Sequence, residues 1–326
     1  MKRLYPMKFQ PLFKEKIWGG KKIRDVLGLD FSPYITCGEA WVLSGVTGSQ
    51  TPVSNGFLKG NELNELVEIF MDDLVGEKVF EKYGNEFPIL IKFIDANDYL
   101  SIQVHPDDKI AAKRNIGNGK SEMWYILDAD PGAKIFSGFS REMTREIYLK
   151  HLKQKSLEEI LNMEKVATGD AFYIPAGRIH ALGPGILLAE IQQTSDITYR
   201  IYDWDRVDDL GNQRELHTDL ALEAIDFRHY DSYRTDFKNQ KNRAVTVVDC
   251  PFFTTNMLNF DKSFNKDYTA VDSFILYICV NGSAEIHCNQ QKVSLIRGET
   301  MLIPAEMETI FILPKPSCEI LEVYVS

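Results

Sequence analysis

The chain has 326 residues, with 37 Lys and Arg against 47 Asp and Glu, so its formal net charge is −10. This acidity argues against nucleic acid as the main partner, because phosphate backbones select basic surfaces. The N-terminal residues lack the long apolar core of a signal peptide, the longest apolar run (87–94) contains Lys92, and the five cysteines are scattered. We therefore expect a cytoplasmic protein with free thiols, without a membrane span, a disulfide frame or a Cys-based zinc site.

Two stretches have helical periodicity, and strand signals dominate the rest of the chain. The first stretch begins at Asn61 (NELNELVEIFMDDLVG). The second runs from about Thr144 to Met163, with an approximate apolar stripe at Leu149, Leu152, Leu157, Ile160 and Leu161. Short β-branched and aromatic runs are separated by Gly, Pro, Asn and Asp, as in ILIKFIDAND, SEMWYILDADPG, GDAFYIPAG, ILLAEIQQTSD and ITYRIYDWD. These patterns predict an all-β fold with small helical insertions, the later one near 141–165.

The last part of the chain repeats an earlier part. GDAFYIPAG (169–177) matches GETMLIPAE (298–306) at Gly, the acidic residue, Ile, Pro and Ala, with an offset of 129. SEMWYILDADPGAKI (121–135) is similar to SFILYICVNGSAEI (273–286), and each is predicted as a strand, a turn and a second strand. The polar stretch 232–243 is predicted to link the two units. We therefore expect two small barrels of one kind, a first domain over 1–235 and a degenerate second domain over 240–326.

The two copies differ at polar positions. Glu122 of the first copy aligns with Phe274, and His180 aligns with Thr309. The second copy thus has the framework without these polar groups, so the fold itself does not need them.

Side chains that could bind a metal recur in the first copy. Side chains two apart on a strand share a face, so Gln103 and His105 should point the same way. Glu122 lies on another strand, and His180 follows the PAGRIH turn. Two imidazoles, a carboxylate and an amide oxygen suit Zn²⁺, or else Mn²⁺, Co²⁺ or Fe²⁺. Three strong ligands and a weak one would leave positions open for water or substrate, as in catalytic sites.

Each of these residues also has an ordinary structural explanation. His105 alone is more often a packed or surface histidine, the HPDD segment could be a capped turn, Glu122 could be exposed, and Trp124 could belong to the core. The set as a whole favours a metal site, because the repeat has the same framework without it.

A second polar pattern lies between Glu190 and Arg200. Its polar side chains all have even numbers: Glu190, Gln192, Thr194, Asp196, Thr198 and Arg200. If the strand is continuous, they share one face, which would fit a sugar pocket. The alternative is the exposed polar face of an outer strand.

Several motifs, in this order, resemble the type I phosphomannose isomerases, which are zinc enzymes of the cupin class. WGGKKI (18–23) and GEAWVLS (38–44) are similar to N-terminal signatures of that family. FPILIKFIDANDYLSIQVHPDD is similar to its zinc-ligand strand with a Q-x-H-P core, and GKSEMWYIL to its K-x-E segment. GDAFYIPAGRIHALGPGILLAEIQQTSDITYRIYDWDR is similar to its longest signature. The resemblance covers about 18–206 and indicates a short bacterial form, whose two cupin barrels are jelly-roll-like.

The resemblance implies an aldose–ketose isomerase that interconverts D-mannose 6-phosphate and D-fructose 6-phosphate through a metal-assisted cis-enediol. It implies one Zn²⁺ per chain and a sugar phosphate as the partner of a monomer or homodimer. The implied site consists of the metal ligands Gln103, His105, Glu122 and His180, the catalytic residues Arg200 and Lys120, and the substrate-binding residues Glu190, Asp196 and Trp124.

Two alternatives remain open from the residues alone. One is a metal-dependent cupin dioxygenase, which would need iron and for which a Gln/His/Glu/His set is less typical. The other is a non-catalytic sugar-phosphate-binding cupin, against which Lys120 and Arg200 argue, because a binding protein could lose them.

Overall fold

The computed structural model describes residues 3–207, 210–289 and 291–325, and these are mostly β-structure. The strands, numbered β1 to β19 in chain order, are Met7–Lys8, Leu12–Lys14, Glu39–Leu43, Ile89–Ala96, Ile102–Val104, Glu122–Ala129, Lys134–Phe139, Leu161–Lys165, Ala171–Ile174, His180–Leu182, Ile186–Gln193, Tyr199–Tyr202, Arg243–Asp249, Thr254–Phe260, Phe264–Asp267, Ile275–Cys288, Gln291–Ile296, Thr300–Ile303 and Thr309–Tyr324. The helices, α1 to α6, are Lys22–Asp25, Leu63–Val75, Glu77–Tyr83, Asp108–Arg114, Arg145–Lys153 and Thr218–Ala224, with a 3-10 helix at Leu157–Glu159. None of the described helices is long and apolar enough to cross a membrane.

The strands form three antiparallel sheets. One sheet has five strands in the order β12-β5-β10-β7-β8, and another has six in the order β2-β3-β4-β11-β6-β9. The third has eight strands, with the path β1-β18-β16-β19-β14-β13, β15 beside β19 and β17 beside β16. The first two sheets therefore come from the first 202 residues, and the third comes from the last quarter of the chain plus β1.

The strand order confirms the internal repeat. The path β3-β4-β11-β6-β9 recurs as β13-β14-β19-β16-β18. Strands β9 and β18 begin at Ala171 and Thr300 and end at Ile174 and Ile303, which is the sequence offset of 129. The two units are thus built on one plan.

Strand pairing matches Glu122 of the first unit with a residue one position later than the sequence alignment did. Ile174 pairs with Glu122, whereas Ile303 pairs with Ile275. Ile275 rather than Phe274 therefore occupies the register position of Glu122. It is apolar and buried, so the second unit still lacks a carboxylate there.

Two elements differ from the sequence prediction. The helix expected over 144–163 ends at Lys153, where the chain turns through Lys155 at φ 53, and residues 161–165 pair with β7 as a strand. The strand–turn–strand expected over 273–286 is one strand, β16, whose register shifts between Cys279 and Asn281 and again after Gly282. In both places the cross-strand ladder decides the structure over the local pattern.

The first helical prediction is confirmed, and four short helices carried too little periodicity to be predicted. Helix α2 begins with a capping box. The Glu62 side chain accepts the backbone N–H of Glu65, and the Glu65 side chain accepts the backbone N–H of Glu62. The stretch 232–243 contains no helix or strand before Arg243, but Tyr233 is buried and Thr235 forms a bridge with Ala171. The predicted linker therefore packs on the first unit.

Apolar clusters hold the sheets together. One cluster lies between the five- and six-stranded sheets, with Ile135 and Leu182 from the former and Ile94, Trp124 and Leu188 from the latter. Burying side chains of this size stabilises the fold by about 1.5–3 kcal/mol each. The two sheets of the first unit therefore face each other across a packed layer.

Candidate active site

A cavity of about 350 Å³ lies between the two sheets of the first unit. The six-stranded sheet contributes Trp41, Lys92, Trp124 and Glu190 to its wall, and the five-stranded sheet contributes Gln103, His180 and Arg200, with further residues from neighbouring loops. Leu182 and Ile94 belong both to this wall and to the apolar cluster between the sheets. The cavity is therefore a polar gap at one side of the packed interface.

Cross-strand pairing aligns the polar residues of the five-stranded sheet. Gln103 pairs with His180 on one side and with Arg200 on the other. Directly paired residues point to the same face of a sheet. Three polar side chains from three strands therefore stand next to one another on the cavity side.

Three buried side chains form a group that could hold a metal. His105, Glu122 and His180 are at most 1% exposed, and their ligand atoms lie within 4.8 Å of one another. His105 Nε2 lies 3.4 Å from Glu122 Oε2, and His180 Nε2 lies 3.5 Å from Glu122 Oε1. Within the described part of the chain, Glu122 Oε2 has Lys120 Nζ at 3.0 Å, whereas His105 Nε2 and Glu122 Oε1 have no hydrogen-bond partner. Buried polar atoms are normally paired, so these unpaired atoms fit a bound cation.

Backbone carbonyls orient both imidazoles. His105 Nδ1 lies 2.9 Å from the Ile197 oxygen, and His180 Nδ1 lies 2.8 Å from the Arg178 oxygen. A carbonyl only accepts, so Nδ1 carries the proton in both rings and Nε2 keeps its lone pair for a metal. The Gln103 amide lies 3.2 Å from His180 Nε2. Its oxygen and nitrogen are interchangeable by a flip, so it can offer an oxygen at the same point.

The charge states suit a divalent cation. Burial lowers the pKa of His105 to about 3, and Lys120 adds to that effect. Burial also lowers the pKa of His180. Burial alone would raise the pKa of Glu122, but Lys120 and His105 hold it well below its usual range. Near neutral pH the site therefore has two neutral imidazoles and an ionised carboxylate.

Comparisons with known proteins agree with this geometry. Residues 7–160 match the model for the catalytic domain of phosphomannose isomerase type I, and residues 243–325 match the model for the mannose-6-phosphate isomerase cupin domain. The chain is 35% identical to the mannose-6-phosphate isomerase ManA of Bacillus subtilis over 302 residues, 92% of this chain and 93% of that protein. It is 34% identical to the mannose-6-phosphate isomerase of Streptococcus mutans over 304 residues, 92% of each chain.

A solved structure extends the match to three dimensions. The mannose 6-phosphate isomerase from Bacillus subtilis superposes with a TM-score of 0.88 at 32% identity, covering 98% of this chain and 99% of the other. The chain belongs to the type I phosphomannose isomerases. Mannose-6-phosphate isomerase is accordingly the activity that homology assigns to it.

In this phosphomannose isomerase, two lysines lie beside the buried acids of the cavity. Lys120 Nζ lies 3.0 Å from Glu122 Oε2 and 3.9 Å from Glu190 Oε1. Burial alone would lower the pKa of Lys120, but Glu122 and Glu190 raise it above its ordinary value. Lys92 Nζ lies 3.1 Å from Glu190 Oε1 and donates to Gln192 Oε1 at 2.7 Å. Lys120 is therefore held as a cation, and the Lys92 ammonium lies between two acceptors.

Two guanidinium groups lie at another part of the wall. Arg200 Nη1 donates to the Glu215 carbonyl at 2.8 Å, and the buried Arg200 Nε has no hydrogen-bond partner among the described residues. Burial and the neighbouring Arg214 lower the pKa of Arg200. Arg214 is held by Asp203, which accepts from its Nε at 2.7 Å. This part of the cavity is strongly cationic.

The predicted single polar face from 190 to 200 is wrong. Strand β11 ends at Gln193, β12 begins at Tyr199, and the two belong to different sheets. Gln192 and Thr194 do not line the cavity. Gln192 Oε1 instead accepts from Lys92, and the Thr194 hydroxyl donates to the Phe87 carbonyl at 2.6 Å. The four cavity residues of the set are Glu190, Asp196, Thr198 and Arg200. They meet because the two sheets face each other.

Sequence reasoning missed several cavity residues. They are Lys14, Lys16, Trp18, Glu39, Trp41, Lys92, Ile94, Leu100, Ser101, Leu182 and Arg214. Lys92 had a signal, since it is the one charge inside the apolar run FPILIKFI. Trp18, Glu39 and Trp41 lie in the quoted N-terminal motifs, where nothing local indicates a role. Arg214 lies in a loop without a recognisable pattern.

Proposed function

We propose that the chain interconverts D-mannose 6-phosphate and D-fructose 6-phosphate by moving a proton between C2 and C1 through a cis-enediol. The observation that carries the proposal is the buried His105, Glu122 and His180 group beside a polar cavity, in which His105 Nε2 and Glu122 Oε1 have no hydrogen-bond partner among the described residues. A cavity that combines buried acids, cations and a cation-binding group suits a small, anionic, hydroxyl-rich substrate.

We further propose that the resident ion is one Zn²⁺ per chain, with Gln103, His105, Glu122 and His180 as its ligands. Two imidazole nitrogens, a carboxylate oxygen and an amide oxygen are donors that zinc accepts. The hydrogen bonds from both Nδ1 atoms to backbone carbonyls support ligation through Nε2. When bound, the ion supplies a Lewis acid for the oxygens of the substrate.

The chain's own cations have separate tasks in this proposal. Arg200, paired with Gln103 in the ladder, faces the negative charge that develops on the substrate oxygens. Lys120, beside Glu122 and Glu190, shuttles a proton or binds an oxyanion of the substrate. The sugar is expected to bind along the wall formed by Glu190, Asp196 and Trp124.

At the level of the fold, we propose a catalytic domain over 1–235 and a degenerate cupin domain over 240–326, each closed into a jelly-roll-like barrel. The repeated strand order and the cupin-domain match at 243–325 support this division. The helical insertion that we propose near 141–165 includes helix α5, Arg145–Lys153.

A coupled assay tests the function directly. Purified protein is expected to convert mannose 6-phosphate to fructose 6-phosphate, to lose the activity in a chelator and to regain it with Zn²⁺. Binding of mannose 6-phosphate without turnover in the zinc-loaded protein would contradict the enzyme and favour a binding protein.

A further inference from the structure

The row of residues around Glu190 recurs in the second unit. Glu190 pairs with Lys92 and Trp124, its neighbours on β4 and β6. On the equivalent strands, Glu322 pairs with Asn256 on β14 and Tyr277 on β16. Both rows thus have a central glutamate between a polar residue and an aromatic one with a donor group.

The two glutamates also have similar surroundings. Glu190 is 3% exposed; its Oε1 lies 3.1 Å from Lys92 Nζ, and its Oε2 accepts from Trp124 Nε1 at 3.1 Å. Glu322 is 1% exposed; its Oε2 accepts from Asn256 Nδ2 at 2.9 Å, and its Oε1 contacts Lys266 and the Tyr268 hydroxyl. In each unit, both carboxylate oxygens are occupied by donors.

The second unit keeps this row without the metal-binding group. Over residues 210–289 and 291–325, no cluster of three His, Cys, Asp or Glu comparable with the His105 group occurs. Ile275 stands at the register position of Glu122, and Thr309, aligned with His180, is exposed. The buried glutamate row therefore occurs both with the metal-binding group and without it.

We propose that Glu190 is a positioning residue, which holds the Lys92 ammonium at the cavity wall, and is not the base that takes the C2 proton. This inference rests on the proposed isomerase function. Both Glu190 oxygens accept hydrogen bonds, from Lys92 Nζ and Trp124 Nε1, so the carboxylate is fixed against these two side chains rather than free to turn toward the substrate. Lys92 is 5% exposed, so a cation at this position depends on the buried carboxylate beside it.

The test is a double-mutant cycle between Glu190 and Lys92, with a matched control in the second unit. Glu190→Gln, Lys92→Met and their combination are assayed for kcat, KM and zinc content. Glu322→Gln makes the same change at the equivalent position. Glu190→Gln is expected to lower kcat about 10–100-fold, as for loss of a supporting partner, with a smaller change in KM. The double variant should be no slower than Lys92→Met alone, since Glu190 acts through Lys92.

The outcomes separate the proposal from its rivals. Glu322→Gln is expected to lower Tm by an amount similar to Glu190→Gln while leaving kcat within twofold of wild type. A further large loss of kcat when Glu190→Gln is added to Lys92→Met would make Glu190 a direct participant and overturn the proposal. Unchanged kcat in Glu190→Gln would make it purely structural, which also overturns it. If Glu190→Gln does not fold, the double variant, which removes the buried charge pair together, is compared with Lys92→Met. Absence of isomerase activity in the wild type would instead contradict the proposed function.

Discussion

The positions of two imidazole protons decide what the buried site can bind. In His105 and His180, Nδ1–H donates a hydrogen bond to a backbone carbonyl, so each ring presents an unprotonated Nε2 to Glu122. Burial opposes protonation of either ring, as their lowered pKa values reflect. Without a bound metal ion, the negative charge of the buried Glu122 carboxylate would be balanced mainly by Lys120. The capacity of this group to bind a metal therefore depends on a few atoms and their hydrogen-bond partners.

We expect His105→Ala and His180→Ala to lose the bound ion, because each removes one of the strong ligands. Elemental analysis of the purified variants measures this. His287→Ala is the control, since His287 contacts Glu285 and the Phe311 ring in the second unit. Full metal content in both site variants would contradict the ligand assignment.

Arg200→Ala should lower kcat by about 10²–10³, with a smaller change in KM, if the guanidinium stabilises charge that develops in the reaction. Arg200→Lys should restore part of the loss, since a lysine keeps the charge without the planar fork. Metal content should stay at the wild-type level in both variants. A raised KM with kcat retained would instead identify Arg200 as a ground-state phosphate ligand. Wild-type values of both constants would remove Arg200 from the catalytic residues.

At the scale of elements, the register of neighbouring strands brings the site together. Strand β5 places Gln103 between His180 of β10 and Arg200 of β12. Strand β11 places Glu190 between strands β4 and β6. A slip of one residue in either ladder would turn these side chains to the opposite face. The site thus depends on pairing along the whole length of these strands.

The contact between β4 and α1 predicts a pH dependence of stability. Asp95 on β4 is buried and accepts the backbone N–H of Lys22 at 2.6 Å. Burial raises the pKa of Asp95 to about 6, although the backbone N–H groups of Lys22 and Ile23 donate to its carboxylate and act to lower that pKa. The folded state therefore binds the proton more tightly than the unfolded state, and the contribution of Asp95 to stability is greatest below about pH 4 and is lost as pH rises through about 6.

Asp95→Asn should remove this dependence. Relative to the variant, the wild type should lose on the order of 2–3 kcal/mol of unfolding free energy between pH 4 and 7. Urea unfolding at several pH values measures the difference, and exposed Asp25→Asn should follow the wild type. Parallel curves for wild type and Asp95→Asn would contradict the assignment.

At the scale of the whole molecule, one strand order occurs twice, with different side chains between the strands. The first unit has a cavity lined by acids and cations together with the His105 group. The second unit keeps the strand order and the buried glutamate. The largest apolar cluster includes side chains of both units, such as Val42 and Leu258. The second unit therefore packs against the first and supports it.

This arrangement predicts one divalent ion per chain. Elemental analysis of the loaded wild type should give a ratio near one, since the second unit has apolar Ile275 and exposed Thr309 at the equivalent positions. A ratio near two, or an ion retained after loss of both His105 and His180, would contradict the single site.

The sequence by itself determined the β-rich class, the repeat and the residue types of the group that could bind a metal. Alternation within a strand is a local property, so Gln103 and His105 could be grouped from two-residue spacing alone. The offset of 129 is likewise visible without coordinates, and it locates β9 and β18 to the residue.

Only the tertiary structure decided which sheets face each other and which registers they keep. Glu190 and Arg200 meet across a cavity from different sheets, although the sequence pattern suggested one strand. Lys92 joins Glu190 through a ladder between residues 98 positions apart. Arg214 reaches the cavity from a loop anchored on Asp203. Such contacts depend on the pairing of distant strands, for which the free energy comes from burial of the whole interface and leaves no periodic trace near the residues concerned.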